Sequence, residues 1–237
     1  MSVADRVVVI AGATSASGLA ATRELMAAGA TVIAVGRDAE KLQELVDAVG
    51  TDVGAADVGS AGRLRTEVCD LTDEDDVAAL AERVHAAEGP VDGVLHLVGG
   101  WRGGGGLAGQ TEDDYRFLER SFTALRHVSR AFDADLRASS AARTAIVSSL
   151  AVNRPLAGGA NYAAVKAASE AWARAVAQGF TKGAKESGQP LAAASVIFRT
   201  QSLDGLEEAL AQRFTDLWTT PAAETNDTIV ELTDPSL

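Results

Sequence analysis

Three groups of residues in this chain have the types and spacing to do chemistry. Tyr162 and Lys166 stand four positions apart, so a helix would place both side chains on one face. An ammonium beside a phenol stabilises phenolate and draws its pKa down from about 10, which suits a general acid/base working near neutrality. The bland alternative is a solvated helix face that holds the pair by chance. The second group is the turn Gly12-Ala13-Thr14-Ser15-Ala16-Ser17-Gly18, between an apolar run and a helical stretch. Such a turn aims free N–H groups and the positive end of the helix dipole at an anion. Glycine lets a pyrophosphate approach the backbone, and Thr14, Ser15 and Ser17 add hydroxyls. A glycine-containing turn without a ligand is the alternative here. The third group is Ser148-Ser149, which closes another apolar run. Either serine can supply a hydroxyl, and a turn or an N-cap would use them equally well.

The elements that must position these groups alternate. Val7–Ile10 reads as a short β-branched strand buried on both faces. A helix over Leu19–Ala28 follows, ended by Gly29, then a strand over Thr31–Val35. Next come a helix over Lys41–Val49, a Gly-, Ala- and Asp-rich loop over 50–62, a strand over Leu64–Val68 and a helix over Glu74–Ala87. The second half predicts strands at Val91–Val98, Thr144–Val147, Leu191–Phe198 and Ile229–Leu232. Helices are predicted at Glu112–Arg137, Tyr162–Gly179 and Leu206–Leu217. This order predicts one α/β domain over residues 1–237, a doubly wound, Rossmann-type parallel sheet with helices on both faces. The stretch 219–237 is polar enough for a partly loose tail. In a parallel sheet ligands gather at the C-terminal ends of strands. The Gly12 turn, the serine pair and the loop after Val98 all lie at such ends.

Composition narrows the function. Lys and Arg number 21 against 33 Asp and Glu, a formal charge of −12 in 237 residues. So acidic a surface argues against nucleic acid and against an anionic membrane as partner. No apolar run approaches the roughly 20 residues needed to span a bilayer, and the first residues lack a signal-peptide pattern, which predicts a cytoplasmic protein. The single cysteine, Cys69, and three scattered histidines predict neither a disulfide framework nor a metal site. Cys69 reads as a small buried hydrophobe and His96 as a packed core histidine. Asp73–Asp76 suits a helix N-terminus. Trp101 and Trp218 would line a pocket or pack in the core, and Trp172 would face the core or a second subunit.

The glycine turn, Asp70 after the third strand, Gly99 after the fourth, Ser149, and Tyr162-Ala163-Ala164-Val165-Lys166-Ala167 together resemble the short-chain dehydrogenases/reductases over about residues 5–200. The separation of Ser149 and Tyr162 is typical of that family and selects Ser149 over Ser148. The resemblance implies a single-domain, NAD(P)(H)-dependent oxidoreductase that moves hydride between nicotinamide and a carbonyl or secondary alcohol. Tyr162 would be the acid/base, Lys166 would lower its pKa and hold the nicotinamide ribose, and Ser149 would bond the substrate oxygen. Gly12, Thr14, Ser15, Ala16, Gly18, Arg37, Asp70, Leu71, Gly99 and Thr200, with Tyr162 and Lys166, would bind the cofactor, Asp70 at the adenine edge. The family also implies a homodimer or homotetramer.

The departures from the family pattern are informative. Ala16 replaces a glycine of the turn, and only Gly99 survives of an Asn-Asn-Ala-Gly after the fourth strand. Ser121 stands where an asparagine often completes a proton relay, and Phe198-Arg199 replaces a Pro-Gly. The short region after Thr200 implies a reduced lid, for which the glycines 103–106 either substitute or serve as a plain connector. An acid is missing at Gly36 and Arg37 follows, which favours the 2′-phosphate of NADP(H) over NAD(H). Asp38 would either oppose that phosphate or cap the next helix. The competing reading is a nucleotide-binding regulatory or scaffold protein that kept the fold and lost catalysis. A methyltransferase-like enzyme would leave Ser149 and the Tyr162–Lys166 pair unexplained.

Overall fold

The computed structural model describes residues 2–50 and 62–233. Its first strand, β1 (Val7–Ala11), is buried along its whole length. Alternate side chains point to opposite faces. Val8 and Ile10 join one apolar cluster with Leu25, Leu210 and Phe214. Val7, Val9 and Ala11 join the other with Leu80, Val84 and Val128. A strand with no polar face has to be covered twice, and the following elements supply the cover: α1 (Ala16–Ala27), β2 (Thr31–Gly36), α2 (Ala39–Gly50), β3 (Arg63–Val68), α3 (Glu74–Glu88) and β4 (Gly93–His96). The chain continues through α4 (Glu112–Ala131), α5 (Asp133–Ala138), β5 (Arg143–Ser149), α6 (Ala160–Ser187), β6 (Ala194–Thr200), α7 (Glu207–Thr215), α8 (Ala222–Thr225) and β7 (Thr228–Glu231).

The strands form one sheet in the order β3-β2-β1-β4-β5-β6-β7, and every neighbouring pair is parallel. This is the doubly wound α/β architecture expected. The order reverses between β1 and β4, which opens a crevice at their C-terminal ends.

Several boundaries differ from the sequence reading. The strand expected over 91–98 is ordered only over Gly93–His96, because Leu97–Gly99 leave the sheet to line cavities. Ser148 and Ser149 belong to β5 instead of following it, paired with Arg199 and Thr200 of β6. The long helix expected over 112–137 breaks at Phe132 (φ −105°, ψ 8°), whose ring is fully buried. The sixth strand runs to Thr200, two residues beyond Phe198. The loop expected at 50–62 falls, for residues 51–61, outside the described residues. Of the tail expected to be loose, residues up to 233 are described; they form α8 and β7, the latter an edge strand parallel to β6.

One buried charge staples the N-terminal side of the sheet. Arg143, at the start of β5, is 1% exposed. Its guanidinium donates to the carbonyls of Leu217 and Ala142 at 2.8 Å and of Ala192 and Thr220 at 2.9 Å. Burial, with some help from the Arg6 charge, pushes it down to about 10. It stays protonated at neutral pH and joins β5, the approach to β6 and the segment after α7. Arg143→Met would leave four carbonyls without their donor. We expect a loss of about 3 kcal/mol, read as a lower urea midpoint with an unchanged m-value.

Candidate active site

The glycine turn is shaped by close contacts. Gly12 takes φ +89°, and a Cβ there would lie 3.0 Å from the Val98 nitrogen. The N–H groups of Gly12 and Ala13 both donate to the Val35 carbonyl, which ties the turn to β2. Ser15 caps α1 by accepting from the Gly18 N–H at 3.1 Å. A Cβ on Gly18 would meet the Ala13 carbonyl oxygen at 2.1 Å, so that position admits only glycine. Gly18 and Ala16 line neither cavity at the sheet edge. Gly18 acts by letting α1 pack tightly on the turn.

A smaller cavity of about 260 Å³ opens beside the turn. Gly12, Thr14, Arg37, Asp70 and Leu71, the residues that the family resemblance assigns to the cofactor, line it. The Asp70 carboxylate accepts from the Thr72 hydroxyl at 2.7 Å and the Thr72 N–H at 3.0 Å. These bonds, then the charges of Arg120 and Arg37, hold it below the usual carboxylate range. Arg120 was invisible to sequence reasoning because it looks like one more charge on a solvated helix. Its guanidinium lies 3.6 Å from Asp70 and lines this cavity. Asp38 is engaged by its own helix. Its carboxylate accepts from the N–H groups of Glu40 and Lys41 at 3.0 and 3.2 Å, so it caps α2.

The larger cavity, about 970 Å³, is lined by Ser17, Ser149, Tyr162, Lys166 and Thr200 among others. Ser15 and Gly99 line both cavities, so the two meet there. A Cβ on Gly99 would find only the Lys166 Nζ, at 3.7 Å, which makes Gly99 the open floor between them. Ser149 shares this cavity with Tyr162, and its hydroxyl accepts from the Ala151 N–H at 3.1 Å. Burial raises the Tyr162 phenol above its ordinary value, and the neighbouring Ser149 hydroxyl opposes this. Lys166 donates to the Val147 carbonyl at 2.7 Å and lies 5.8 Å from the Tyr162 ring centre. Burial pushes the lysine down to about 8, against the pull of Glu170.

Beneath Lys166 lies a buried ion pair. The Glu170 carboxylate accepts from Ser148 at 2.6 Å and from the Arg199 Nε at 2.7 Å, with a second Arg199 bond at 2.5 Å. Ser148 is thus taken up by Glu170, while Ser149 faces Tyr162. Hydrogen bonds from Arg199 and Ser148 hold the Glu170 carboxyl below the usual range despite its burial. Arg199, in place of the Pro-Gly, also donates to Asn153 at 2.8 Å. Ser121 spends its hydroxyl on the Leu118 carbonyl at 2.7 Å, and its own carbonyl meets the His96 Nε2 at 3.0 Å. A carbonyl only accepts, so Nε2 carries the proton. Burial lowers His96 to about 4, which keeps it a neutral core residue. Cys69 is buried too, and its thiol is pushed up to about 12, first by desolvation.

The glycine loop is built against the larger cavity. Gly104, Gly105 and Gly106 all have positive φ, and the Gly104 N–H donates to the Gly158 carbonyl at 2.7 Å. The Gln110 amide spans the carbonyls of Gly104, Gly106 and Gly158. The loop is therefore a pinned flap and not a plain connector. Trp101 lines the cavity, whereas Trp218 is buried against Phe214 and Gly93. Among the described residues no cluster of three or more His, Cys, Asp or Glu is placed to hold a metal. No helix there is long and apolar enough to cross a membrane.

Glu170→Gln would strand the Arg199 guanidinium. We expect it to cost about 3–5 kcal/mol, while the double change Glu170→Met with Arg199→Met recovers most of that loss. Chemical denaturation of the two variants beside the parent protein checks both expectations.

Comparison with known proteins bears on the family and the fold. The family model described as short chain dehydrogenase matches residues 6–183. An uncharacterized oxidoreductase of Mycobacterium tuberculosis is 35% identical over 97 residues, 41% of this chain and 27% of that protein. The match thus spans about a quarter of the relative's length. A metagenomic short-chain oxidoreductase in complex with NADP superposes with a TM-score of 0.81 at 24% identity, over 99% of this chain and all of that one. A short-chain type dehydrogenase/reductase from Mycobacterium ulcerans gives 0.83 at 20% identity, over 98% and 90% of the two chains. These two likenesses speak for the fold. With three quarters of its length matched by the family model, the chain belongs to the short-chain dehydrogenase family of oxidoreductases.

Proposed function

We propose that the chain transfers hydride between NADP(H) and a carbonyl or secondary-alcohol carbon, with Tyr162 as the acid/base. The observation that carries this reading is the continuity of the two cavities. Ser149, Tyr162 and Lys166 share one cavity, which meets at Ser15 and Gly99 the cavity holding Arg37, Asp70 and Arg120. The residues present fit a dinucleotide. The first-turn N–H groups of α1 have no partner within the helix, and Gly99 leaves room for a ring beside Lys166. When bound, the nicotinamide supplies or accepts the hydride.

The protein's part is orientation and one proton. Ser149 holds the substrate oxygen against the Tyr162 hydroxyl, which donates its proton during reduction and takes one during oxidation. Lys166 works against the burial of the phenol. Its ammonium lies 5.8 Å from the Tyr162 ring centre, and a cation so placed favours phenolate over phenol. Thr14, Ser15 and Leu71 border the nucleotide path, and Thr200 closes the larger cavity beside β6.

Arg37 supports NADP(H) over NAD(H), with Arg120 as a second cation and Asp38 directed to α2. The rival reading, a nucleotide-binding protein without turnover, draws on the Ser121 hydroxyl, which bonds Leu118 and not the Lys166 side of the cavity. Tyr162→Phe decides between them: a catalyst loses turnover at least a hundredfold while its NADPH affinity holds. Undiminished turnover in that variant would refute the assignment. Titration followed by Trp101 fluorescence should show Arg37→Ala weakening NADPH about tenfold or more and NADH little. Equal losses would reject the 2′-phosphate reading. Reduction should also decline above about pH 8, where Lys166 (about 8) gives up its proton and its support for phenolate. A flat kcat/KM profile through pH 9.5 would contradict that role.

A further inference from the structure

The larger cavity has a charge opposite to that of the rest of the chain. The protein carries a formal charge of −12, yet among the described residues no Asp or Glu lines this cavity; the two charged residues that do are Lys166 and Arg154. Lys166 is occupied, donating inward to Val147. Arg154 is different. Among the described residues no carboxylate, carbonyl or aromatic ring engages its guanidinium, whereas Arg120, Arg143 and Arg199 are all held.

The base of Arg154 is nevertheless fixed. Asn153 donates its N–H to the Leu150 carbonyl at 3.1 Å and accepts from Arg199 at 2.8 Å. Arg199 is itself clamped by Glu170. A guanidinium on so fixed a segment, five residues beyond Ser149, stands ready on the cavity wall with its donors unspent. The surfaces around it are apolar. Leu156 is 70% exposed and Trp101 64% exposed, and both line the cavity with Leu150 and Leu203. Exposed apolar surface concentrated at a cavity marks a binding surface.

We propose that this cavity takes a carbonyl compound, or its alcohol, that carries a carboxylate, with Arg154 gripping the carboxylate and the apolar walls covering the carbons between the two groups. The inference rests on Ser149 and Tyr162 holding the reacting oxygen. A planar guanidinium matches a carboxylate in two parallel hydrogen bonds. A single free cation also balances a single negative charge, which favours a carboxylate over a phosphate dianion. The acidic remainder of the surface repels anions, so the acid-free cavity is the place where one can settle.

The test uses the full chain with NADP⁺, so that a ketone binds in a dead-end complex and cannot be reduced. Levulinate and its longer oxo-acid homologues, each against its methyl ester, are titrated by Trp101 fluorescence and by calorimetry. Wild-type protein should bind at least one acid about tenfold tighter than its ester, the scale of one charge-assisted pair at a partly exposed site. Arg154→Gln should shrink that advantage to within about twofold, Arg154→Lys should keep part of it, and Arg154→Glu should reverse it. The inference falls if acid and ester bind alike in wild type, if neither binds, or if the preference survives Arg154→Gln. Failure of NADP⁺ to bind would instead count against the oxidoreductase reading. The acid–ester comparison can then be made on the protein alone and still reads Arg154 directly.

Discussion

The Glu170–Arg199 pair lies one helical turn beyond Lys166, and the geometry above it depends on that contact. Glu170 takes Ser148 and Arg199 together, which joins α6 to the ends of β5 and β6. Arg199 then reaches Asn153 and fixes the segment that leaves β5. The same carboxylate acts at short range on Lys166, resisting the desolvation that lowers it. A buried pair of this kind adds little net stability compared with apolar residues of equal volume. Its value lies in geometry: Ser149, Tyr162 and Lys166 come from two elements that need a common anchor.

Above that anchor, the sheet edge divides into regions of different polarity. The smaller cavity holds Arg37 and Arg120 around one satisfied carboxylate, Asp70. The larger holds phenol, hydroxyls, a buried amine and apolar walls. Gly99 and Ser15 form the passage between them. In a chain with an excess of twelve acids, Arg37, Arg120, Arg154 and Lys166 give this edge a local cationic character where β1 and β4 part. The pinned glycine loop packs on the 157–159 turn, and Trp101 beside it joins the cavity wall.

How much of this was legible beforehand follows from the range of the interactions involved. The βα turn was readable because Gly12 and Gly18 answer local demands, a positive φ and a helix packed against its own turn. The Tyr162–Lys166 spacing was readable because a helix has a fixed period. Strand ends were less so: Leu97–Gly99 carry apolar residues that suit a strand, but β4 stops where the crevice opens. Phe132 breaks a helix that its sequence would continue, because its ring is drawn fully into the core. Arg120, Arg143, Arg154 and Arg199 look alike in sequence. One flanks Asp70, one staples four carbonyls, one is free on a cavity wall and one sits in a buried ion pair.

The sequence by itself therefore determined the alternation of elements, the doubly wound class, the tight glycine turn after β1 and the order of Ser149, Tyr162 and Lys166. All of these follow from periodicity or from contacts within a few residues. Only the tertiary structure decided that Ser148 is taken up by Glu170, that Asp38 caps α2 while Asp70 faces Arg120, and that the glycine loop is pinned to the 157–159 turn. It also decided the charge states, drawing Lys166 down to about 8 and His96 to about 4. The physical reason is that burial and pairing arise between segments far apart in the chain, and desolvation exists only once those segments have closed around a group.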